Sequence, residues 1–284
     1  MVDKEAFKDG RALLAQPVLP LAGMVQFLYL TGDFARVEEV IGQMPPDIET
    51  GHAFYADPVS LLTPYTDLLR PLEDLKAGKV PGALVVDAAN NPVDAMTTVT
   101  ALVAQNILTR ELETVNSLLC APCGCTLCCV GPEAGMQQVY FEIPLQAGEV
   151  EHFPLERIET PVSRSVRITD APPLQVAGAD FYQRPDPVLI RWQSGWSLVM
   201  PTGSQCPHLE QSGRCHIYPD RPEVCRRPQI FPYMLEPIED GAAWRLRQCL
   251  LAVVDCPYVQ LLQEEISTYA AACELEMIFR RNKA

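Results

Sequence analysis

The chemistry-bearing residues of this 284-residue chain are its eleven cysteines, none of which precedes Cys120. Five of them share one run, Cys120-Ala121-Pro122-Cys123-Gly124-Cys125-Thr126-Leu127-Cys128-Cys129. Pro122 and Gly124 oppose helix and predict a knuckle in which backbone N–H groups turn toward sulfur. A disulfide between Cys128 and Cys129 is geometrically poor, because adjacent Cα atoms lie ~3.8 Å apart, below the usual disulfide span. Crowded thiolates repel one another, so without a cation these groups are expected to stay protonated. A soft cation reverses that balance, and thiolate sets suit Zn²⁺ or an iron–sulfur cluster far better than Mg²⁺ or Ca²⁺.

A second set follows some eighty residues later. It reads Cys206-Pro207-His208-Leu209, then Cys215-His216-Ile217-Tyr218-Pro219-Asp220-Arg221-Pro222-Glu223-Val224-Cys225-Arg226. With the knuckle, this stretch resembles the CxxCxxCC cysteine-cluster family, often called YkgJ-like, a zinc- or iron-chelating domain. That family carries a dense knuckle, a Cys-Pro-x-Leu step, and then Cys-x-Ile-Tyr-x-x-Arg-Pro-x-x-Cys-Arg. Cys206 through Arg226 matches step for step, and the resemblance covers about residues 120 to 260. The knuckle departs from the pattern. Either Cys125 precedes the Cys128-Cys129 pair and Pro122 replaces a cysteine, or Cys120 and Cys123 are the spaced pair with two residues inserted before Cys128.

Asp255-Cys256-Pro257 resembles the late Cys-Pro of the family and makes Cys256 a candidate last ligand. The resemblance thus implies a metal set drawn from Cys120, Cys123, Cys125, Cys128, Cys129, Cys206, Cys215, Cys225 and Cys256. Cys249 is a weaker candidate, and Cys273 on an apolar helical face is read as core. Without those two and one knuckle cysteine, eight remain, enough for two four-thiolate sites or one polynuclear cluster with spare thiols. Four thiolates around Zn²⁺, or around an oxidised four-iron cluster, leave a charge of about −2. Arg214, Arg221, Arg226 and Arg227 are placed to offset it, or else they pair with Asp220 and Glu223 at the surface. His208 and His216 are read as loop or outer residues rather than ligands.

Three functions compete. The first is a metal-binding protein, structural or redox-active, that works with a protein partner or on a protein substrate. The second is an enzyme, since flagellin lysine-N-methylases are similar in carrying this cluster; against it, the chain has no GxGxxG-like loop. The third is thiol redox chemistry by Cys125-Thr126-Leu127-Cys128, which the surrounding thiols disfavour. The four histidines, His52, His152, His208 and His216, form no H-E-x-x-H, and neither a P-loop nor G-x-S-x-G occurs. A net charge of −14 argues against broad binding to nucleic acid or anionic lipid. The acidic Met1-Val2-Asp3-Lys4-Glu5 start does not read as an export signal, so a cytoplasmic protein with reduced thiols is expected.

The elements that must position these thiols divide at the knuckle, giving an α+β reading. A mainly helical region, 1–119, precedes a small-sheet, loop-rich cysteine-cluster domain, 120–284, that closes on a C-terminal helix. The uncharged stretch Ala12–Gly32 approaches a membrane span, but Pro17, Pro20 and Gly23 interrupt it; a core helix over 21–30 is expected, with no membrane anchor. Asp33 is expected to cap a helix carrying Phe34, Val37 and Ile41. Leu68, Leu69, Leu72 and Leu75 predict another helix, and Met96, Val99, Val103, Ile107, Val115 and Leu119 a longer one. In the second half, 139–143 reads as a strand before Pro144. Residues 188–192 and 196–200 read as a hairpin about Ser194-Gly195, and 233–238 with 244–246 as another. The last helix places Val259, Leu262, Ile266, Tyr269, Cys273 and Met277 on one face.

Overall fold

The computed structural model describes residues 4–168, 174–176, 178–238 and 243–281. Helices and several small sheets make it an α+β protein. Met1–Pro122 and Gln229–Asn282 form one compact unit, while Cys123–Pro228 forms the other. The division expected from the sequence, 1–119 against 120–284, differs from this, because residues after 228 supply the strands and helices that complete the N-terminal helical core.

In the first unit, helix Val18–Thr31 buries Leu21, Val25 and Tyr29. Pro20 falls in its first turn, where the missing N–H removes no intrahelical bond. The helical stretch Lys4–Thr31 is long and apolar enough to cross a membrane by composition alone, yet its buried residues join a core with Val37, Val40, Leu62, Leu69, Leu72, Val99, Val103 and Ile107. Lys76 holds its far end, donating to the carbonyls of Tyr29, Gly32 and Phe34 at 2.8, 2.8 and 3.0 Å. A cation there complements the C-terminal end of the helix dipole. Asp33 is not the cap of the next helix, Val37–Gly42, whose preceding residue is Arg36. Glu39 instead reaches back to accept from the Ala35 N–H at 3.1 Å.

The long helix Ala95–Cys123 begins with Asp94 accepting from the Thr97 N–H at 2.7 Å, an N-cap bond. Its buried stripe includes Val99, Val103, Ile107, Leu108, Leu112, Val115 and Leu119. Polar residues interrupt the stripe, and each serves the backbone of another segment. Gln105 accepts from the N–H groups of Met234 and Leu235 at 3.0 and 3.3 Å, where a bulge breaks the ladder between strands Ile230–Ile238 and Ala243–Val253. Asn116 exchanges two hydrogen bonds with Ile230, at 2.9 and 3.1 Å. Ala243–Val253 lies at the centre of that sheet, antiparallel to Ile230–Ile238 and parallel to both Val85–Val86 and Glu276–Arg280. Met277, expected on the final helix, therefore sits on a strand. The helices there are Pro257–Leu261 and Gln263–Ala272. Residues 239–242, the turn expected between the paired strands, lie outside the described residues.

Glu111 is the unusual buried group of this unit. It is 3% exposed and accepts from the Val18 N–H at 3.0 Å and the Tyr269 hydroxyl at 2.7 Å. Burial pushes its carboxyl up to about 7, with the two hydrogen bonds pulling the other way. Because the folded pKa is raised, this group's contribution is fully present below its ordinary value near 4.5 and is lost as pH rises through about 7. A shift of that size corresponds to on the order of 3 kcal/mol. Glu111→Gln removes the titration. Its melting temperature is therefore expected to gain on the wild type between pH 5 and pH 8, and a difference that stays constant across that range counts against the assignment.

In the second unit, four strands are ordered Tyr140–Leu145, Gly195–Pro201, Val188–Trp192 and Arg157–Ile158. The pairing of Val188–Trp192 with Gly195–Pro201 is the expected hairpin, with Trp192 opposite Gly195. The strand runs on through Pro144 because it is an edge, where a missing N–H breaks no ladder. Alternating residues bury both faces. Val188, Ile190, Trp192 and Val199 pack with Ile158 and Phe181 on one side. Leu189, Leu198 and Met200 pack with Ile143, Leu145, Val150 and Phe153 on the other.

Candidate metal centre

The second face of this sheet is the platform for the thiols, since Cys206, Val224 and Cys225 pack against it. The long helix does not stop at Pro122. It continues through Cys123 and ends before Gly124, whose φ of +64° favours glycine. Pro122 offers no N–H to the carbonyl four residues back, but the helix ends one residue later, so the expected knuckle begins later than the spacing suggested. A turn then follows, closed by the Cys129 N–H donating to the Thr126 carbonyl at 2.8 Å.

Backbone pairing joins the two cysteine sets. The Cys206 N–H donates to the Cys129 carbonyl at 2.9 Å, Val130 bridges Gln205, and the Gly131 N–H donates to the Ser204 carbonyl at 2.8 Å. The approach is so close that a Cβ on Gly131 would stand 2.0 Å from the Pro201 carbonyl oxygen. Leu209 bridges Cys215, and the His216 N–H donates to the His208 carbonyl at 2.7 Å, folding the second set back on itself. Gly213, at the tip with φ +81°, comes near the Gly124 carbonyl. The Glu223–Arg226 helix then delivers Cys225, anchored by the Glu223 N–H donating to Glu149 at 2.7 Å.

Three sulfurs accept a backbone N–H from the residue two positions on. Leu127 donates to the Cys125 sulfur at 3.3 Å, and His208 and Ile217 donate likewise to Cys206 and Cys215. These are charge-stabilising contacts, suited to thiolates rather than neutral thiols. The Cys128 and Cys129 sulfurs lie 4.0 Å apart. Two thiolates on one tetrahedral Zn²⁺ stand about 3.8 Å apart given a Zn–S bond of about 2.3 Å. The donor set therefore fits a soft metal, although among the described residues no group of three or more donors is already drawn to the spacing of a bound ion.

Burial and neighbouring thiols shift these cysteines in identifiable directions. Cys129 is pushed up by its contact with Cys128, by burial, and by the charges of Cys206 and Cys225. Of that coupled pair, Cys128 is held down because it receives the hydrogen bond of Cys129. Burial raises Cys206 and Cys215, and it raises Cys225 to about 12, with Cys128 and Cys206 adding to the last. The charge of Cys125 opposes the lowering of Cys128. These are thiols that a proton or a cation must neutralise.

Among the sequence candidates, Cys125, Cys128, Cys129, Cys206, Cys215 and Cys225 lie in the second unit, where backbone pairing joins the Cys129 and Cys206 segments. Cys120 and Cys123 lie one turn apart near the end of the long helix, and Cys123 is buried. Cys120 and Cys256 belong to the first unit, where Cys256 is buried at the start of the Pro257–Leu261 helix. Cys249 is also in that unit and donates to the Arg247 carbonyl at 3.1 Å, while Cys273 is buried in its core. Of the histidines, His208 donates from Nε2 to the His152 carbonyl at 2.8 Å, and exposed His216 faces Glu210. The four arginines separate as well: Arg227 pairs with Glu223, Arg214 is exposed, and Arg226 donates to the Arg221 carbonyl at 2.8 Å. Arg221 is 7% exposed. Sequence spacing alone could not single it out.

Residues 119–250 match the model of the CxxCxxCC family, described as a "putative zinc- or iron-chelating domain". No curated protein and no solved structure matches the chain.

The close backbone approach makes Gly131 the sharpest structural test of the link between the two cysteine sets. Gly131→Ala is expected to destabilise the fold by on the order of 1–3 kcal/mol. The control Gly148→Ala, where an added Cβ meets no atom within 4 Å, should change little. Equal denaturant midpoints for the two variants would remove the ladder from the account.

Proposed function

We propose that this chain, whose residues 119–250 carry the zinc- or iron-chelating CxxCxxCC match, holds a thiolate-bound metal centre through Cys125, Cys128, Cys129, Cys206, Cys215 and Cys225. The observation that carries the reading is the backbone pairing that sets the Cys206 segment against the Cys129 segment, with the Cys128 and Cys129 sulfurs 4.0 Å apart and Leu127 donating to the Cys125 sulfur. Six thiolates exceed the four that one tetrahedral ion takes, so the centre holds more than one metal ion. Zinc bound there supplies a cross-link between the two cysteine sets, whereas an iron–sulfur cluster supplies one-electron transfer.

The protein's own residues prepare the site. Leu127, His208 and Ile217 aim N–H groups at sulfur, and the sheet face under Cys206 and Cys225 limits water. A cytoplasmic location goes with this reading, since thiolate ligation of a metal needs reduced sulfurs. The role is that of a metal-binding protein acting with a protein partner.

Anaerobic purification followed by metal analysis and visible absorption tests this reading. More than one metal per chain is expected: colourless protein with zinc, or brown protein with iron and acid-labile sulfide. Cys129→Ser and Cys206→Ser should each lose most of the metal, and Cys273→Ser should keep it. Full metal content in the first two variants would remove the proposed ligand set.

A further inference from the structure

Glu276–Arg280 is an edge strand of the sheet in the first unit. It runs parallel to Ala243–Val253, and among the described residues no strand lies against its other side. The Arg280 carbonyl accepts from the Val254 N–H at 2.9 Å, so the polar backbone groups of Glu276, Ile278 and Arg280 turn inward. By alternation, the N–H and C=O groups of Met277 and Phe279 turn toward the open edge. Such a row is a template for another strand.

The side chains of this strand are unevenly covered. Met277 and Phe279 stand beside Leu250 and Ala252 in the ladder and share their face of the sheet. Leu250 and Ala252 are fully buried, whereas Phe279 is 37% exposed. The apolar layer of this sheet therefore ends on a large ring left partly in water. On the opposite face Glu276, Ile278 and Arg280 form a row, with both charged residues exposed. Arg280 has its guanidinium carbon 5.9 Å from the centre of the Phe231 ring, and Glu276 lies 3.8 Å from the Cys249 sulfur. Neither forms an ion pair among the described residues.

We propose that this edge pairs with the same edge of a second copy of the chain, the two strands running antiparallel about a two-fold axis at Ile278. In that register each Ile278 meets its counterpart, and Met277 of each copy lies opposite Phe279 of the other. The outward N–H and C=O groups of these two residues then bond to each other across the axis, and the exposed ring gains an apolar neighbour. Glu276 of each copy falls opposite Arg280 of the other. The two charges stand equally far from Ile278 in sequence and differ in sign, so the two-fold operation makes them complementary. A shift by one residue would set outward backbone groups against inward ones, and a shift by two would lose both charge pairs. The pairing involves none of the proposed metal ligands.

Sedimentation of the full chain under reducing conditions, over about a hundredfold range of concentration, tests the proposal. The wild type is expected to pass reversibly from monomer to dimer. Glu276→Arg and Arg280→Glu each set like charges opposite one another, and each should weaken the dimer by about tenfold or more. The double variant restores opposite charges with their signs exchanged and should dimerise nearly as the wild type does. All four proteins should melt alike where the wild type is monomeric, because both side chains are exposed. A wild type that stays monomeric throughout overturns the proposal. So does a dimer that both single variants leave intact, since it uses another face. A double variant as weak as the single ones overturns it too, because the two charges then do not meet.

Discussion

The dominant constraint on this protein is the repulsion among sulfurs held close together away from bulk water. A buried thiol resists ionisation, and a neighbouring thiolate makes it resist further. Cys129 and Cys225 show both effects, each raised by burial and by thiols from the other cysteine set. A chain gains nothing in stability from this crowding while the thiols are protonated. The backbone nevertheless enforces it, through the Cys206–Cys129 and Gly131–Ser204 hydrogen bonds. Structure spent against a local electrostatic preference points to a ligand that reverses the preference, and a soft cation does so.

The sheet of the second unit makes that enforcement stiff. Its hairpin strands are buried on both faces, and the two-residue turn that sets Trp192 opposite Gly195 fixes their register. Met200 and Pro201 end the second hairpin strand, and the chain reaches Cys206 within five residues. Thus the register fixed by Leu198 and Val199 also fixes where Cys206 meets Cys129. The absence of a side chain at Gly131 is part of the same device, since the Pro201 carbonyl occupies the space a Cβ would need.

Much of this was legible in sequence, for identifiable reasons. The ligand spacing is local, and the hairpin about Gly195 carries its period-two signal and turn residues in one stretch. What was not legible depended on contacts distant in sequence. Met277 shares a helical face with Tyr269 and Cys273 on paper, but pairing beside Leu250 makes it a strand residue. Asp33 has the right chemistry for a cap, yet Glu39 serves the Ala35 N–H. Pro122 looked like a breaker; placed in the final turn, it was not. The compact units escaped a linear reading because the first is assembled from both ends of the chain. Arg221 was one of four equivalent arginines until burial distinguished it.

The long helix explains why a pattern of apolar residues underdescribes the first unit. Gln105, Glu111 and Asn116 interrupt its stripe, and a reading by hydrophobic period treats them as noise. Each instead satisfies backbone groups that have no partner in their own element. Glu111 takes the first N–H of the Val18–Thr31 helix, Gln105 takes two N–H groups at the strand bulge, and Asn116 takes both polar groups of Ile230. An apolar side chain at any of the three would leave those groups buried and unpaired, at about 1–3 kcal/mol each. The same helix carries Cys120 and Cys123 at its end. A rigid, many-anchored helix holds these two cysteines in a fixed backbone geometry, which a free loop would not do.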